Sequence, residues 1–481
     1  MGDAVRVALL TAGVLVLVHH LVVDATQLVA LLLGARRARR AAGRSNRSVH
    51  DDIVANPLTP AVSLVVAAAD AERTIVDATR AALALHHPDH EVVVVDDGST
   101  DGTFVALRNE FDLVEVAPST EAELPTVGPI RSMHAPRTGE PLVVLRKDAA
   151  GRADAINAGL DAARHDLVCC VDAESLLEPD ALLRLARPFV EDPQRVVVSI
   201  GTSRPLNGGT VVAGELLELR QPRGWLARVQ VVEHLRASLV AGAWAGLASP
   251  PFDAGGVGLF RRDVLVEVGG FDPAAIDEDA DLVAAVHRRS RELRRDWQVE
   301  VVPDPVCWTE VPTTTAELAR QRRRWSRGVA ELLWKQRRMV GAPRFGRFGT
   351  AVLPAHLATE VLSPVVELLG PVVVVAGLAS GAFGLGLGLL ALSAAVLFGM
   401  VLSVGALVVE ERTFRRRCHR DDLAVGLGAA VLENLGYRQL TAWWRLGGLL
   451  DAVRAGRTSA PGDARSPRRS GRAPVAARAR A

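Results

Sequence analysis

The sequence predicts an α/β domain with a mostly parallel sheet, flanked by transmembrane and interfacial α-helices. Three observations carry that expectation. Short β-branched runs alternate with stretches of helical character between residues 61 and 342, and such alternation builds β-α-β units and parallel strands. Long apolar runs lie on both sides of that region. Carboxylates gather where apolar runs end, the place at which open α/β sheets hold ligands.

The 481 residues are 49% apolar and 23% charged, so the two kinds must be segregated along the chain. At about 100–200 residues per domain the length allows two to four units. Fifty-six basic and 55 acidic residues give a net charge of +1, which excludes a uniformly basic nucleic-acid binder and an acidic disordered chain. Cys169, Cys170, Cys307 and Cys418 are too few and too scattered for a disulfide framework and lack metal-ligand spacing. They read as small side chains of a reducing compartment, with the adjacent Cys169 and Cys170 inside an apolar strand.

The chain begins with an almost wholly apolar stretch, Val5–Leu33, succeeded by Arg36, Arg37, Arg39, Arg40, Arg44 and Arg47. It exceeds the roughly 20 residues that one crossing needs, and the positive-inside rule puts the chain beyond this Arg cluster on the cytosolic side of an inner or plasma membrane. A cleaved signal peptide is the competing reading. The apolar stretch is too long for one, and its basic cluster is on the wrong side. His19, His20 and Asp24 are expected to face other helices. Residues 1–35 therefore read as a transmembrane helix and 36–60 as a basic cytosolic linker.

Within residues 61–342, Val62–Ala69 and Glu91–Val95 read as strands around a helix at Ala71–Leu85. Further strands are expected at Pro141–Leu145, Asp166–Val171, Arg195–Ile200 and Val299–Val302, with helices near Arg152–Arg164, Pro179–Val190 and Asp279–Arg294. The Pro- and Gly-containing stretch Ala117–Glu140 reads as irregular. Residues 343–453 read as transmembrane and interfacial helices. Val352–Leu369 is apolar around His356, Glu360 and Glu367, and Pro371–Val409 is long enough for two crossings. Leu423–Leu450, with Tyr437, Trp443, Trp444 and Arg445, reads as lying in the headgroup zone. Residues 454–481 read as a disordered basic tail, either touching anionic lipid or simply solvated.

Four motifs carry chemistry. Val92–Val95 leads into Asp96-Asp97-Gly98-Ser99, where paired carboxylates and a Gly turn suit a nucleotide site, although Asp-Asp-Gly is also an ordinary turn. Leu167–Val171 leads into Asp172-Ala173-Glu174. Alternate carboxylates there can serve a hard cation such as Mg2+ or Mn2+, the other reading being a solvated acidic turn. Asp277-Glu278-Asp279-Ala280-Asp281 starts a helix. Its acids complement the helix dipole, and crowding raises their proton affinity, which suits a general base. Gln321-Arg322-Arg323-Arg324-Trp325 lies in a helical stretch, where Arg can hold diphosphate and Trp can stack on a sugar, or both can sit beside a membrane.

Taken in this order, together with Gly151-Arg152-Ala153-Asp154-Ala155-Ile156-Asn157-Ala158-Gly159, Gly256 to Arg262 and Gly436-Tyr437-Arg438-Gln439-Leu440, these motifs resemble the membrane-bound family 2 glycosyltransferases, which include cellulose, hyaluronan and poly-N-acetylglucosamine synthases. The resemblance implies a nucleotide-sugar-binding, glycosyltransferase A-like domain facing the cytosol of a multi-pass membrane protein. It implies that Asp96 and Asp97 contact the uridine of a UDP-sugar, with Arg152 and Asp154 further substrate-binding residues. Asp172 and Glu174 would hold Mg2+ or Mn2+. Asp279, with Glu278 beside it, would deprotonate the acceptor hydroxyl, while Gln321, Arg324 and Trp325 would line the diphosphate and acceptor-sugar site. The implied partners are a nucleotide-sugar donor, a polysaccharide or lipid-linked acceptor, membrane lipid and subunits of an export complex, with no nucleic acid.

The chain departs from the family pattern in places. Where Pro-Ala-Tyr-Asn-Glu-Glu is usual after the first strand it has Ala67 to Glu72, and Ala149-Ala150-Gly151-Arg152 replaces Asn-Gly-Gly-Lys. Asp-x-Asp has become Asp172-x-Glu174, and Ala285 stands where an Arg is often found. These departures motivate a second reading, a catalytically impaired relative that binds or regulates within a polysaccharide synthesis or export complex. A Rossmann dehydrogenase is disfavoured because no Gly-x-Gly-x-x-Gly succeeds the first strand.

Overall fold

In the computed structural model, residues 3–44, 59–117, 123–124, 126–212, 215–246, 257–414 and 420–458 are described. The chain forms two compact units that interleave along the sequence. Of the described residues, a helical unit takes 3–39, 221–246 and 311–458, and an α/β unit takes those within 40–220 and 257–310.

The strands of the α/β unit are β1 (Val62–Ala68), β2 (His90–Asp97), β3 (Leu113–Val116), β4 (Ile130–Pro136), β5 (Leu142–Lys147), β6 (Leu167–Asp172), β7 (Leu176–Leu177), β8 (Val196–Pro205), β9 (Gly209–Val212), β10 (Glu215–Leu219), β11 (Gly258–Arg261) and β12 (Gln298–Thr309). Ten of them form one sheet in the order β3-β4-β5-β2-β1-β6-β11-β8-β12-β7. Its centre is parallel: β1 pairs with β2 and β6, and β2 with β5. A second parallel pair, β8 and β12, joins that centre through antiparallel β11. β3, β4 and β7 add antiparallel ends. The sheet is thus mixed around a parallel centre.

Strands covered on both faces must be apolar on both, and β1 and β2 satisfy this with runs of buried residues. Alternation sends Leu64, Val66, Val92 and Val94 to a core shared with the helices Ile75–Leu83, Thr103–Glu110 and Ala181–Glu191. Val65 and Val95 face the other way, toward the helix Arg152–Ala162, where Gly159 leaves room for both side chains. Cys169 and Cys170 are buried free thiols, as expected for small apolar positions.

Three local features differ from the sequence expectation. β4 lies inside the stretch expected to be irregular and pairs with β5. Its residues, Ile-Arg-Ser-Met-His-Ala-Pro, alternate poorly, so the neighbouring strand rather than its own pattern makes it a strand. β12 extends through Pro303 and Pro305 to Thr309, and the register shifts where those prolines interrupt donation. The β9–β10 hairpin lies in a stretch with no assigned element.

Asp3–Arg44, most of which belongs to the helical unit, is one helix of 42 residues. The Arg36–Arg40 cluster, expected in a linker, is therefore helical, as is the linker up to Arg44, and residues 45–58 of that linker lie outside the described residues. Two helices among the described residues, Ala4–Arg40 and Phe348–Ala379, are long and apolar enough to cross a membrane by length and composition. A third long helix runs Leu385–Phe414, and beyond it lie Arg420–Leu432 and Arg438–Thr458. The last helix occupies the start of the expected disordered tail, whose residues beyond 458 lie outside the described residues.

A break separates the final two helices. Gly436 sits at φ +100°, inside a run whose dihedrals leave the helical region at Leu435 as well. Only glycine takes that conformation without cost. Tyr437, expected in the headgroup zone, is instead only 4% exposed and belongs to a core with Leu31, Leu226, Leu235, Leu318 and Ala406. Its ring packs inside protein, so its hydroxyl needs a protein partner.

Candidate active site

The central strand β1 lines up the carboxylates of its neighbours. Ala68 pairs in register with Asp96 of β2, and Ala67 with Asp172 of β6. Two acidic strand ends therefore flank the carboxyl end of β1, about 10 Å apart at twice the usual strand spacing. This is the edge at which α/β sheets bind ligands.

Asp96 and Asp97 face basic residues on the next strand, since Asp96 pairs with Arg146 and Asp97 with Lys147. Lys147 is 1% exposed. Its ammonium reaches Asp97 Oδ1 at 2.7 Å, Asp154 Oδ2 at 2.6 Å and the Asp148 carbonyl at 2.7 Å. Asp97 also accepts from the amides of Ala150 (3.0 Å) and Gly151 (2.8 Å). Fully buried Asp154 accepts from the amides of Val127 (2.5 Å) and Gly128 (3.1 Å).

The expected substrate contact is therefore not open to Asp154, whose oxygens serve the fold. It locks the segment before β4 to the helix Arg152–Ala162. Asp97 similarly secures the turn that delivers Arg152. Neither Lys147 nor Arg146 stands out in the sequence as a site residue. The available signal is an apolar strand ending in two basic residues beside a strand ending in two acidic ones.

Asp96 Oδ1 accepts from the Ser99 amide at 3.0 Å, closing the turn through Gly98 at φ +66°. A Cβ on Gly98 would meet the Ala149 nitrogen at 2.5 Å. Asp96 Oδ2 lies 3.7 Å from Arg146 Nε, and the Arg146 guanidinium stacks 4.1 Å over Phe104. The altered segment after β1 docks on the same turn. Asp70 accepts from the Thr100 amide (2.7 Å), while the Ala71 and Glu72 amides donate to Thr103 Oγ1 and Asp101 Oδ2.

Arg152 joins three elements. Its Nε donates to Asp172 Oδ1 at 2.5 Å, and one terminal nitrogen donates to Glu278 Oε1 at 2.8 Å and Asp279 Oδ2 at 3.2 Å. The guanidinium starts the helix Arg152–Ala162, Asp172 ends β6, and Glu278 and Asp279 open the helix Glu278–Glu292. Asp277 caps that helix by accepting from the Ala280 amide at 3.2 Å. The acids after it are thus favoured by the helix N-terminus and also aimed at Arg152. The sequence expectation gives Asp172 a cation as partner; in the structure an arginine takes its Oδ1. Glu174 is exposed in the turn after β6.

Burial pushes the Asp279 carboxyl above its ordinary range; Arg152 opposes this, and Glu278 and Asp172 add to it. Burial alone would lower Arg152, but Asp279, Asp172 and Glu278 hold its charge more firmly than usual. One guanidinium faces three carboxylates, so the cluster favours further positive charge. Asp172 and Glu174 are hard oxygen donors. Among the described residues no three His, Cys, Asp or Glu side chains form a metal cage.

Gln321, Arg324 and Trp325 lie on the helix Thr315–Lys335 of the helical unit. Thr314 caps that helix by accepting from the Glu317 amide at 3.3 Å. Gln321 Oε1 is buried without a hydrogen-bond partner among the described residues, Arg324 is exposed, and Trp325 is half-buried beneath the Arg322 guanidinium, 4.9 Å from the ring centre.

Residues 60–328 match the family described as Glycosyltransferase like family 2. Poly-beta-1,6-N-acetyl-D-glucosamine synthases of Staphylococcus aureus strain COL and of Staphylococcus epidermidis are each 24% identical over 284 residues, covering 56% of this chain and 55% of theirs. The chain thus spans about half the length of these curated relatives. Among solved structures, a mannosyltransferase from Pyrobaculum calidifontis in complex with GDP-Man and Mn2+ gives a TM-score of 0.47 at 18% identity, covering 88% of this chain and 99% of that one. S. aureus TarS residues 1–349 give a TM-score of 0.38 at 15% identity, covering 80% and 91%.

Proposed function

Because the chain belongs to glycosyltransferase family 2, we propose that it transfers a sugar from a UDP-sugar to a hydroxyl of a growing polysaccharide or a glycolipid, inverting the anomeric carbon. The α/β unit has the glycosyltransferase A-like fold that the sequence predicts. The observation that carries the proposal is Arg152, which gathers Asp172, Glu278 and Asp279 from two further elements at one edge of the sheet.

In this reading Asp279 takes the proton from the acceptor hydroxyl. Its raised proton affinity suits a base working near neutral pH. Glu278 shares Arg152 with it and keeps the guanidinium placed between base and donor. Arg152 lies where it can meet negative charge developing on the departing diphosphate. Asp96 is proposed at the uridine, and Asp97 and Asp154 act by holding the turn that presents Arg152. Asp172 and Glu174 are the residues that would hold Mg2+ or Mn2+, which when bound supplies further charge neutralisation for the diphosphate. Gln321, Arg324 and Trp325 are proposed at the diphosphate and the acceptor sugar.

We place the sheet unit in the cytosol beside an inner or plasma membrane, with residues 1–35 and 343–453 as the membrane-associated parts, 36–60 as a linker and 454–481 as a tail. The two long apolar helices support that placement. The polymer reading draws on the relatives' activity, and export subunits remain proposed partners.

The test uses membranes containing the full chain, a panel of UDP-hexoses that starts with UDP-N-acetylglucosamine, and Mg2+ or Mn2+. Release of UDP that requires an acceptor supports the proposal, and product length separates a polymerase from a single-sugar transferase. No turnover across the panel, with UDP-sugar binding retained, favours the regulatory reading that Ala69 and Ala71 motivate.

A further inference from the structure

The Gly436-Tyr437-Arg438-Gln439 motif and the Gln321–Trp325 motif meet inside the helical unit at Glu233, a residue that neither motif contains. Glu233 lies on the helix Trp225–Ala245. Its Oε2 accepts from the Arg322 terminal nitrogen at 2.6 Å and from the Tyr437 hydroxyl at 3.0 Å. Tyr437 is the only tyrosine in the chain. The break at Gly436 turns it inward, where Gly436 N also donates to Gln439 Oε1 at 3.0 Å.

The ion pair is well shielded, with the Arg322 and Glu233 side chains only 11% and 24% exposed. One turn further along the same helix, Arg236 reaches Glu433 at 2.6 Å, and Glu433 accepts from Ser403 at 2.6 Å. Glu233 is therefore held in a polar network that ties its helix to the break before the final helix. Burial alone would raise the Glu233 carboxyl, but Arg322, Arg236 and His234 hold it below its ordinary range. It remains an anion over the physiological range.

Arg322 and Trp325 are three residues apart on one helix and so share a face. The Arg322 guanidinium lies 4.9 Å over the Trp325 ring. An arginine left to itself samples many rotamers; one held by a partly buried carboxylate offers its plane in one place. The indole beneath it is thereby fixed at one face, and its other face is the one that can meet a sugar ring.

We propose that Glu233 is a positioning residue that, through Arg322 and with Tyr437 as its second anchor, sets the orientation in which Trp325 receives the acceptor sugar. This rests on the function proposed above. It adds a requirement the motifs do not state: Glu233 and Trp325 act as a unit without touching.

The test is a double-mutant cycle in membranes, with UDP-N-acetylglucosamine as donor and a β-1,6-linked N-acetylglucosamine oligosaccharide as acceptor. Glu233→Gln is expected to raise the acceptor KM about tenfold, leaving the donor KM and the protein level unchanged. Trp325→Phe should do the same, and the double variant should be no worse than either single one. Additive effects, or equal losses in donor and acceptor KM, would overturn the proposal. Should Glu233→Gln fail to accumulate, Tyr437→Phe takes its place with the same expected non-additivity and a smaller effect. Turnover by the unaltered protein separates the outcomes: with turnover and an unchanged acceptor KM, the positioning role alone fails. Without turnover across the panel of UDP-hexoses and acceptors the proposed function fails, and the positioning role fails with it.

Discussion

Arg152 Nε lies 2.5 Å from Asp172 Oδ1, so the first residue of one helix is tied to the last residue of a central strand. The same guanidinium reaches Asp279, which makes it the link between the donor side and the acceptor side of the proposed site. Replacing Arg152 by Met should leave three carboxylates crowded together. The pairs are partly exposed, so the expected loss of stability is about 1–2 kcal/mol rather than the value for a fully buried pair. Mg2+ or Mn2+ should recover part of it. Thermal unfolding of the purified protein with and without the ion checks both statements, and an unchanged melting temperature for the variant without metal would sink the account.

Asp279→Asn removes the proposed base while keeping its shape. UDP release should fall by about 10²- to 10⁴-fold with protein level and donor binding preserved. In the unaltered protein, burial raises the Asp279 carboxyl above its usual range, with Arg152 opposing. The base must be ionised, so kcat/KM should decline as pH falls, and the decline should begin above the ordinary carboxylate range. A pH-independent rate down to about pH 4 would assign the base elsewhere.

Lys147 should matter to folding rather than to chemistry. Its ammonium is buried between Asp97 and Asp154, and removing one partner of such a cluster leaves uncompensated charge. Lys147→Met is expected to cost about 3–5 kcal/mol, read by denaturant unfolding of the detergent-solubilised protein. Changing Asp154 to Asn in the same protein should restore part of the loss, because it removes one of the stranded charges.

His287 gives a pH signature of its own. Burial, with a smaller contribution from Arg291, pushes its pKa down to about 3. The folded form therefore holds His287 neutral, while the unfolded chain protonates near 6.5. Its contribution to stability is fully present above about pH 6.5 and declines as pH falls toward 3, by about 1.4 kcal/mol per pH unit. His287→Leu should flatten the acid limb of a stability-against-pH curve. An identical slope in the variant would show that other groups set it.

The parallel centre of the sheet is legible in the sequence because its strands are short apolar runs with helical stretches between them. β1, β2, β5 and β6 all fall where the runs Val62–Ala69, Glu91–Val95, Pro141–Leu145 and Asp166–Val171 predict strands. β4 escapes such a reading because its residues alternate poorly and it is held by the strands on either side, β3 and β5. The acids at strand and helix ends are legible for the same reason as the strands, since a charge at the end of an apolar run is conspicuous. Asp154 is legible as a motif residue but not in its task, because burial and partners do not show in spacing.

By itself the sequence determined the parallel centre of the sheet, the acidic strand ends and the family, all of which depend on residues near one another along the chain. Only the tertiary structure decided which acids are spent inside the fold and which stand together. Lys147 takes Asp97 and Asp154, Arg152 takes Asp172, Glu278 and Asp279, and Glu233 takes Arg322 and Tyr437. Each grouping joins residues that lie far apart in the sequence. A buried charge accepts any partner of the right sign that the fold brings within reach, and reach is set by strand register and helix packing, not by the local pattern.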